Sequence, residues 1–595
     1  MHTIVVHQHL YQPPREDPWL EVVPTEPSAA PDHDWNTRIA RECYARLAAV
    51  ETHRRDERAA PRDPDARAGL TRIVNLYAWC SFDVGPTLCE WLDVHAPDVL
   101  AAMQRGDAAS IRRWGHGNAM AAPFHHVILP LASPRERRTE IRWGIKDFRR
   151  RFGRAPEGFW FPECAVDEET LEAVAAEGIR FTILAPYQME GAVGNGQPVR
   201  WSGASGRSLT IVPYDGALAG DVAFGGLLRS PRALAERLLS RERDGEASLR
   251  CTTLATDGET FGHHHRGGEM ALAEALGMIV HRPGVRLQNA ATLVASSPHL
   301  PDIRLVSPSS WSCAHGVERW RSNCGCRLDG NHPPAQQWRG PLRHALTVLA
   351  HQTDAIFSDE GARLFREDPW AVRDAFGDVV AGDREALAHF ANTVVVDDAT
   401  DAMRTRAREL LEMQRASLRT FTSCAWFFDE VDRIEVRQVL RYAARALELS
   451  GQAARLTPEF MTALSHATSG HGDAITAADV FVREALPHRD PVLMVAAAAI
   501  ALATAGQPTT PIACFDCDLA SHDAQWAVSI RHRRTGAVAH YIGIAEGAGP
   551  SLAVRLGAAG SSERAWTTVP LHELPEVAAR QLLVAHADDD HALLG

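Results

Sequence analysis

Glu163 and Asp257 are the two residues best placed to do chemistry. Trp160-Phe161-Pro162-Glu163 reads as the end of a short aromatic strand stopped by proline. Asp167 then caps a helix whose first turn carries Glu168 and Glu169, where the helix dipole favours acids, and Gly178 ends it. Asp257 directly follows the strand-like run Thr252–Thr256. Each acid therefore falls at the carboxyl end of a strand, the edge where α/β sheets and barrels place their chemistry. Two such carboxylates suit nucleophilic and general acid/base work on a glycosidic bond. Spacing alone equally allows a buried structural acid at 163 and a turn aspartate before Gly258.

The elements that must position them alternate. Ile4–His7 reads as the first strand, followed by His9, Tyr11, Gln12, Pro13 and Pro14. Rings and amides clustered after a strand suit a sugar, with stacking on its apolar face and hydrogen bonds to its hydroxyls. Ile73–Tyr77, Gly158–Phe161, Ile179–Leu184 and Leu209–Tyr214 read as further strands. Arg135–Arg151 and Pro231–Arg241 read as helices, the second capped by Ser230. Residues 51–68 are charged and proline-containing, a solvated excursion. Strands alternating with helices over about 300 residues imply a parallel sheet, closed or nearly closed as a barrel.

From Gly340 to about Ala505 the apolar period is helical, with Arg404–Thr420 and Ile434–Leu449 the clearest cases. The aromatic run around Trp426 reads as core. Beyond Pro511, Gln525–Ile530 and Ala537–Ile544 flank Arg534-Thr535-Gly536 as a hairpin, with strands at Leu552–Leu556 and Trp566–Pro570 and a last helix over Glu573–Ala585. Three regions follow: 1–305, an α/β catalytic barrel; 306–508, helical and packed beside the cleft; and 509–595, small α+β.

Bulk properties narrow the function. With 595 residues, 45% hydrophobic and 23% charged, the chain is an ordinary globular one of several domains. Its net charge of −13 argues against a nucleic-acid partner. Lys146 is the only lysine, and phosphate-loop and dinucleotide fingerprints are missing. Eleven cysteines, sparse and odd in number, point to thiols in a reducing compartment, hence a cytoplasmic location. The longest apolar stretch, Val492–Ala503, is too short to span a bilayer, and the start of the chain reads as a core strand. Cys313-x-His315 followed by Cys324-x-Cys326 matches no standard finger or ribbon, so packing without metal is expected there, and likewise at His263–His265. Cys514-x-x-Cys517, without a second pair, is weak evidence for metal or redox chemistry.

Taken in order, four segments resemble glycoside hydrolase family 57, in its bacterial subgroup with a C-terminal domain of unknown function 3536. They are His7–Glu16, Gly117–Leu131, Trp160–Asp167 and Thr256–Thr260. Ser310–Trp320 and the Trp426 segment look like subgroup signatures. The resemblance implies an incomplete (β/α)7 barrel followed by a helical domain. It implies retaining action on α-1,4-linked glucans or oligosaccharides, by hydrolysis or glycosyl transfer, with no cofactor and no membrane partner. Glu163 maps to the nucleophile and Asp257 to the general acid/base. Substrate contacts are expected from His7, His9, Gln12, His126, Trp160, Glu259, His264, Trp311, His315 and Trp426. Cys164 stands where the subgroup usually has threonine, and Ala219-Gly220-Asp221 replaces a more polar stretch. Two other classes compete: a metal-dependent polysaccharide deacetylase on a related barrel, and a non-catalytic carbohydrate-binding protein.

Overall fold

In a computed structural model the structure describes residues 1–53, 70–191, 196–240, 250–297, 299–327, 336–382, 384–469, 475–547 and 549–583. The chain divides into two compact units. The first comprises Met1–Pro14, Glu26–Gln336 and Phe421–Asp429; the second comprises Arg15–Thr25, Gln337–Thr420 and Glu430–Gly595.

The first unit is built on parallel strands β1 (His2–Leu10), β2 (Ser81–Val84), β3 (Ala119–Met120), β4 (Phe181–Leu184), β5 (Ser208–Pro213) and β6 (Arg250–Asp257). All nine residues of β1 are buried, as a strand covered on both faces requires. It pairs in parallel with β6 on one side and β2 on the other. β2 pairs with β3, and β4 with β5. Gly158–Trp160 joins the two halves: Trp160 N donates to Ala121 O (2.7 Å) and Phe159 N to Phe181 O (3.0 Å). Asp215 N donates to Thr253 O (2.7 Å), which links the end of β5 to β6. The ring therefore runs β6–β1–β2–β3–(158–160)–β4–β5 and back to β6. The thin joins at 158–160 and at Asp215 make it the incomplete (β/α)7 barrel expected from the resemblance.

Local signals explain the flanking helices. Pro134–Phe152 starts with a full capping box, Ser133 with Glu136, and stops at Gly153 in the left-handed region. Asp167 accepts from Thr170 N and Ser230 from Ala233 N at the heads of Glu168–Ala176 and Pro231–Leu238, as read from sequence.

One strand differs from the sequence reading. Ile73–Tyr77 is not a barrel strand. Leu70–Val74 pairs antiparallel with Val50–His53, and a short turn, Leu76–Ala78, follows, with Asn75 accepting from Tyr77 N. The barrel strand is the next segment, Ser81–Val84. Its buried aspartate, Asp83, hides it from a hydrophobic pattern. Of the expected excursion, residues 54–68 lie outside the described residues.

The second unit holds the expected helices, among them Arg339–Leu364, Asp401–Arg419 and Ile434–Leu449. It also holds a five-stranded antiparallel sheet running in chain order from Phe515–His522 to Thr567–Pro570. The apolar helix Pro491–Thr504 is buried against that sheet, with Val495–Leu502 fully covered. This explains the longest apolar run of the chain. Among the described residues no helix is long and apolar enough to cross a membrane.

Candidate active site

Strand register builds the site. Across the parallel ladders His9 stands opposite Asp257 on one side and Asp83 on the other. Three residues far apart in sequence thus share one level at the carboxyl ends of β6, β1 and β2. Residues two apart on a strand share a face, so His7 and His9 both reach Asp83. His7 Nε2 lies 3.1 Å from Asp83 Oδ1, and His9 Nδ1 lies 2.8 Å from Oδ2. Asp83 is completely buried and is a site residue that the sequence reading missed.

A charge relay follows from these contacts. Burial lowers His9, but Asp83, helped by Asp257 and Glu259, outweighs it and holds the imidazole at about 9. Burial, then the charge on His9, pushes His126 well below its usual value. His9 Nε2–H therefore donates to neutral His126 Nε2 at 3.2 Å, and His126 Nδ1–H donates to Ser423 Oγ at 2.8 Å. Ser423 belongs to Phe421–Asp429, the segment that clusters with the barrel, and so does the fully buried Trp426. Trp160 floors the group, stacked under His7 at 4.7 Å and His9 at 5.1 Å between centroids.

Glu163 sits in a left-handed turn (φ 58°), followed by Cys164 (φ 48°). Non-glycine residues rarely adopt this region, and strain of about 1–3 kcal/mol each is held by surrounding contacts. Those contacts are visible: Trp311 N donates to Glu163 O (2.9 Å), and Val166 and Ser309 exchange backbone bonds. The carboxylate Oε2 accepts from Ser312 Oγ (2.6 Å) and Trp311 Nε1 (3.1 Å). Trp311 also stands edge-on to Trp160 at 5.3 Å and to Tyr214 at 6.3 Å.

Asp257 ends β6, and Gly258 follows because a Cβ there would lie 2.1 Å from Leu10 Cδ2. The tight turn brings Glu259 inward, where its Oε1 accepts from Tyr44 Oη and from Tyr11 N. Burial raises the Asp257 carboxyl to about 7; His9 opposes this, and Glu259, Glu163 and Asp83 reinforce it. Burial likewise raises Glu259.

Most of the expected sugar contacts converge here: His7, His9, His126, Trp160, Glu259 and Trp311. Gln12 is buried, with Nε2 donating to Tyr44 Oη at 3.4 Å. His264 is exposed, its ring 5.2 Å from that of His263. His315 is exposed too, with Nδ1 3.5 Å from Cys326 Sγ. Ser312, Tyr44 and Ser423 join the site without having been singled out. Ser312 and Ser423 sat inside noticed motifs; Tyr44 carries no local signal.

Residues 3–295 match the profile of glycosyl hydrolase family 57, and residues 335–541 match that of Domain of unknown function (DUF3536). Over residues 3–295 the chain belongs to glycosyl hydrolase family 57. An alpha-amylase of Pyrococcus abyssi (strain GE5 / Orsay) is 24% identical over 178 residues, 29% of this chain and 25% of that relative. The chain thus spans about a quarter of that relative's length. A novel exo-type maltose-forming amylase from Pyrococcus sp. ST04 superposes with TM-score 0.59 and 14% identity, over 77% of this chain and 82% of that one, and so shares its fold. A family 57 branching enzyme from Thermococcus kodakaraensis gives 0.45 and 14%, over 78% and 92%.

Proposed function

We propose that this chain is a retaining enzyme acting on α-1,4-linked glucans, by hydrolysis or glycosyl transfer, with Glu163 as nucleophile and Asp257 as general acid/base. The observation that carries the reading is the asymmetry of the two carboxyls. Glu163 is held as an acceptor by Ser312 and Trp311, while Asp257 is raised to about 7, so a large share of it still carries its proton in neutral solution. A pair with environments this different divides into attacker and proton donor. The family match supports the reaction class, and the amylase relatives support the substrate class.

In this reading Glu163 attacks the anomeric carbon while Asp257 protonates the departing oxygen. Asp257, now ionised, next takes a proton from water or from a sugar hydroxyl as that oxygen attacks the anomeric carbon. The new C–O bond forms while the bond to Glu163 breaks, and Glu163 leaves as the free carboxylate. Cationic His9 beside Asp257 favours that ionised state. Trp311 offers the sugar an aromatic wall beside Glu163. The ring nitrogens of His9 and His126 are committed to Asp83, Ser423 and each other, and Trp426 is fully buried, so these three shape the site without bonding to sugar hydroxyls. Asp83 is bonded through both oxygens to His7 and His9, and the match to a glycosyl hydrolase family does not favour the deacetylase reading. The sparse cysteines support a cytoplasmic setting. Incubation with maltooligosaccharides and amylose tests the reading. Shortened or redistributed chains with α-configured products support it, and β-configured products or no turnover reject it.

The pH dependence has a definite sign. Asp257 must carry its proton in the first step, so kcat/KM falls as pH rises through about 7, by about tenfold per pH unit beyond it. On a glycosyl fluoride, which leaves without a proton, this alkaline limb flattens. A natural-glucan profile level up to pH 9, about two units above that midpoint, rules out Asp257 as the acid.

Ser312→Ala removes one of the two donors on Glu163. A hydrogen bond to a charged group contributes about 1.5–3 kcal/mol, so kcat falls roughly tenfold or more. The thermal midpoint stays near that of the parent, because Ser312 is only half-buried. Unchanged kcat would show that Ser312 does not orient the nucleophile.

A further inference from the structure

Immediately after Trp311 and Ser312 the chain places Cys313, His315, Cys324 and Cys326 together. One ligand atom from each of the four lies within 4.8 Å of all the others. Cys313 Sγ is 3.9 Å from Cys324 Sγ and 3.8 Å from Cys326 Sγ, and Cys326 Sγ is 3.5 Å from His315 Nδ1. A disulfide would bring sulfurs to about 2.05 Å. Tetrahedral zinc, with Zn–S near 2.3 Å and Zn–N near 2.0–2.1 Å, requires S···S edges of about 3.8 Å and an S···N edge of about 3.5 Å. The observed spacings match those edges.

A second observation points the same way. Backbone N–H groups aim at the sulfurs: those of His315 and Arg319 at Cys313, that of Ala314 at Cys326, and that of Cys326 at Cys324 Sγ (3.4 Å). Amide donors converging on sulfur are the outer contacts that orient metal-bound sulfurs. Three soft sulfurs and one imidazole select zinc over harder cations. Four protein ligands also leave no open coordination position, so the site is structural. Clustered cysteines in a reducing compartment more often serve a metal than a disulfide.

We propose that Cys313, His315, Cys324 and Cys326 bind one zinc ion, closing the loop that presents Trp311 and Ser312 to Glu163. Binding releases the thiol protons to solvent and leaves a site of net charge −1. The sequence expectation of a metal-free cluster is revised, because Cys-x-His and Cys-x-Cys knuckles need only the fold between them to meet. His315 is thereby a metal ligand instead of a sugar contact. The outer contacts brace the loop: Arg319 donates to Ser312 O (3.1 Å) and Phe427 O (2.8 Å), and Gln336 Nε2 donates to Cys326 O (2.7 Å).

The test is metal content of the full chain, purified without chelators and desalted after incubation with excess zinc. One zinc per chain is expected, and its loss in the Cys324→Ser/Cys326→Ser double variant. Should that variant fail to fold, cobalt loaded into the parent still decides. Intense tetrahedral d–d bands with a sulfur-to-cobalt charge-transfer band support the site. An octahedral spectrum, no retained metal, or zinc retained by a folded double variant overturns it. The role in holding Trp311 and Ser312 rests on the proposed activity and has its own readout. Zinc removal should lower kcat, reversibly, and Ser312→Ala should cost little more in the zinc-free protein. Additive losses overturn the holding role, while a chain with no glucan turnover in any form rejects the proposed function and leaves the metal count to decide the site.

Discussion

Replacing Asp257 by alanine lowers turnover of a natural glucan by roughly 10²–10⁴, because its poor leaving group needs a proton. An aryl glycoside with a good leaving group departs unaided, so the first step partly recovers. Azide then intercepts the glycosyl-enzyme on Glu163, and two inversions return an α-glycosyl azide from an α-linked substrate. Glu163→Ala behaves differently: no covalent intermediate forms, glucan turnover disappears, and any azide product is the inverted β-anomer. The products are distinguished by proton NMR of the anomeric centre. Should the two variants behave alike, or Asp257→Ala keep full activity on glucans, the division of roles is wrong.

Asp83→Ala has the largest expected effect on stability. Asp83 is fully buried, and both of its carboxylate oxygens hold histidines. Burial raises its carboxyl, but His9 and His7 overcome this and keep it below the ordinary range, so it stands as the counter-ion of His9. Removing one partner of a buried ion pair leaves the other uncompensated and costs about 3–5 kcal/mol. His9 then loses its proton, and its bond to His126 weakens. Asp83→Asn preserves shape and part of the hydrogen bonding, so it loses less stability while still lowering His9. Denaturant unfolding followed by tryptophan fluorescence measures the loss, and NMR titration of the imidazoles reports His9. A Asp83→Ala protein within about 1 kcal/mol of the parent would show that the pair is not what holds this end of the barrel.

Much of the frame is legible in local sequence, for local reasons. Proline after an aromatic run marks the end of the strand before Glu163. Asp167 and Ser230 announce helix starts, since a side-chain oxygen three residues ahead satisfies an otherwise unpaired N–H. Arg534-Thr535-Gly536 marks a hairpin, and its strands, Gln525–His532 and Val538–Glu546, form as read. The residues at 73–77 misled because apolar and β-branched side chains fit a peripheral hairpin as well as a barrel strand.

The sequence by itself determined the alternation of strands and helices, the two acids at strand ends, and the helical and hairpin-bearing region that follows. These depend on period, capping and turn chemistry within a few residues. Only the tertiary structure decided which side chains meet. Asp83 reaches His7 and His9 through strand register, Ser423 reaches His126 across 297 residues, and Ser312 reaches Glu163 across 149. The Cys313–Cys326 cluster forms only when the loop folds back on itself. Such contacts come from ring closure and register, where one step of slip turns a side chain to the opposite face, and no local pattern encodes that choice.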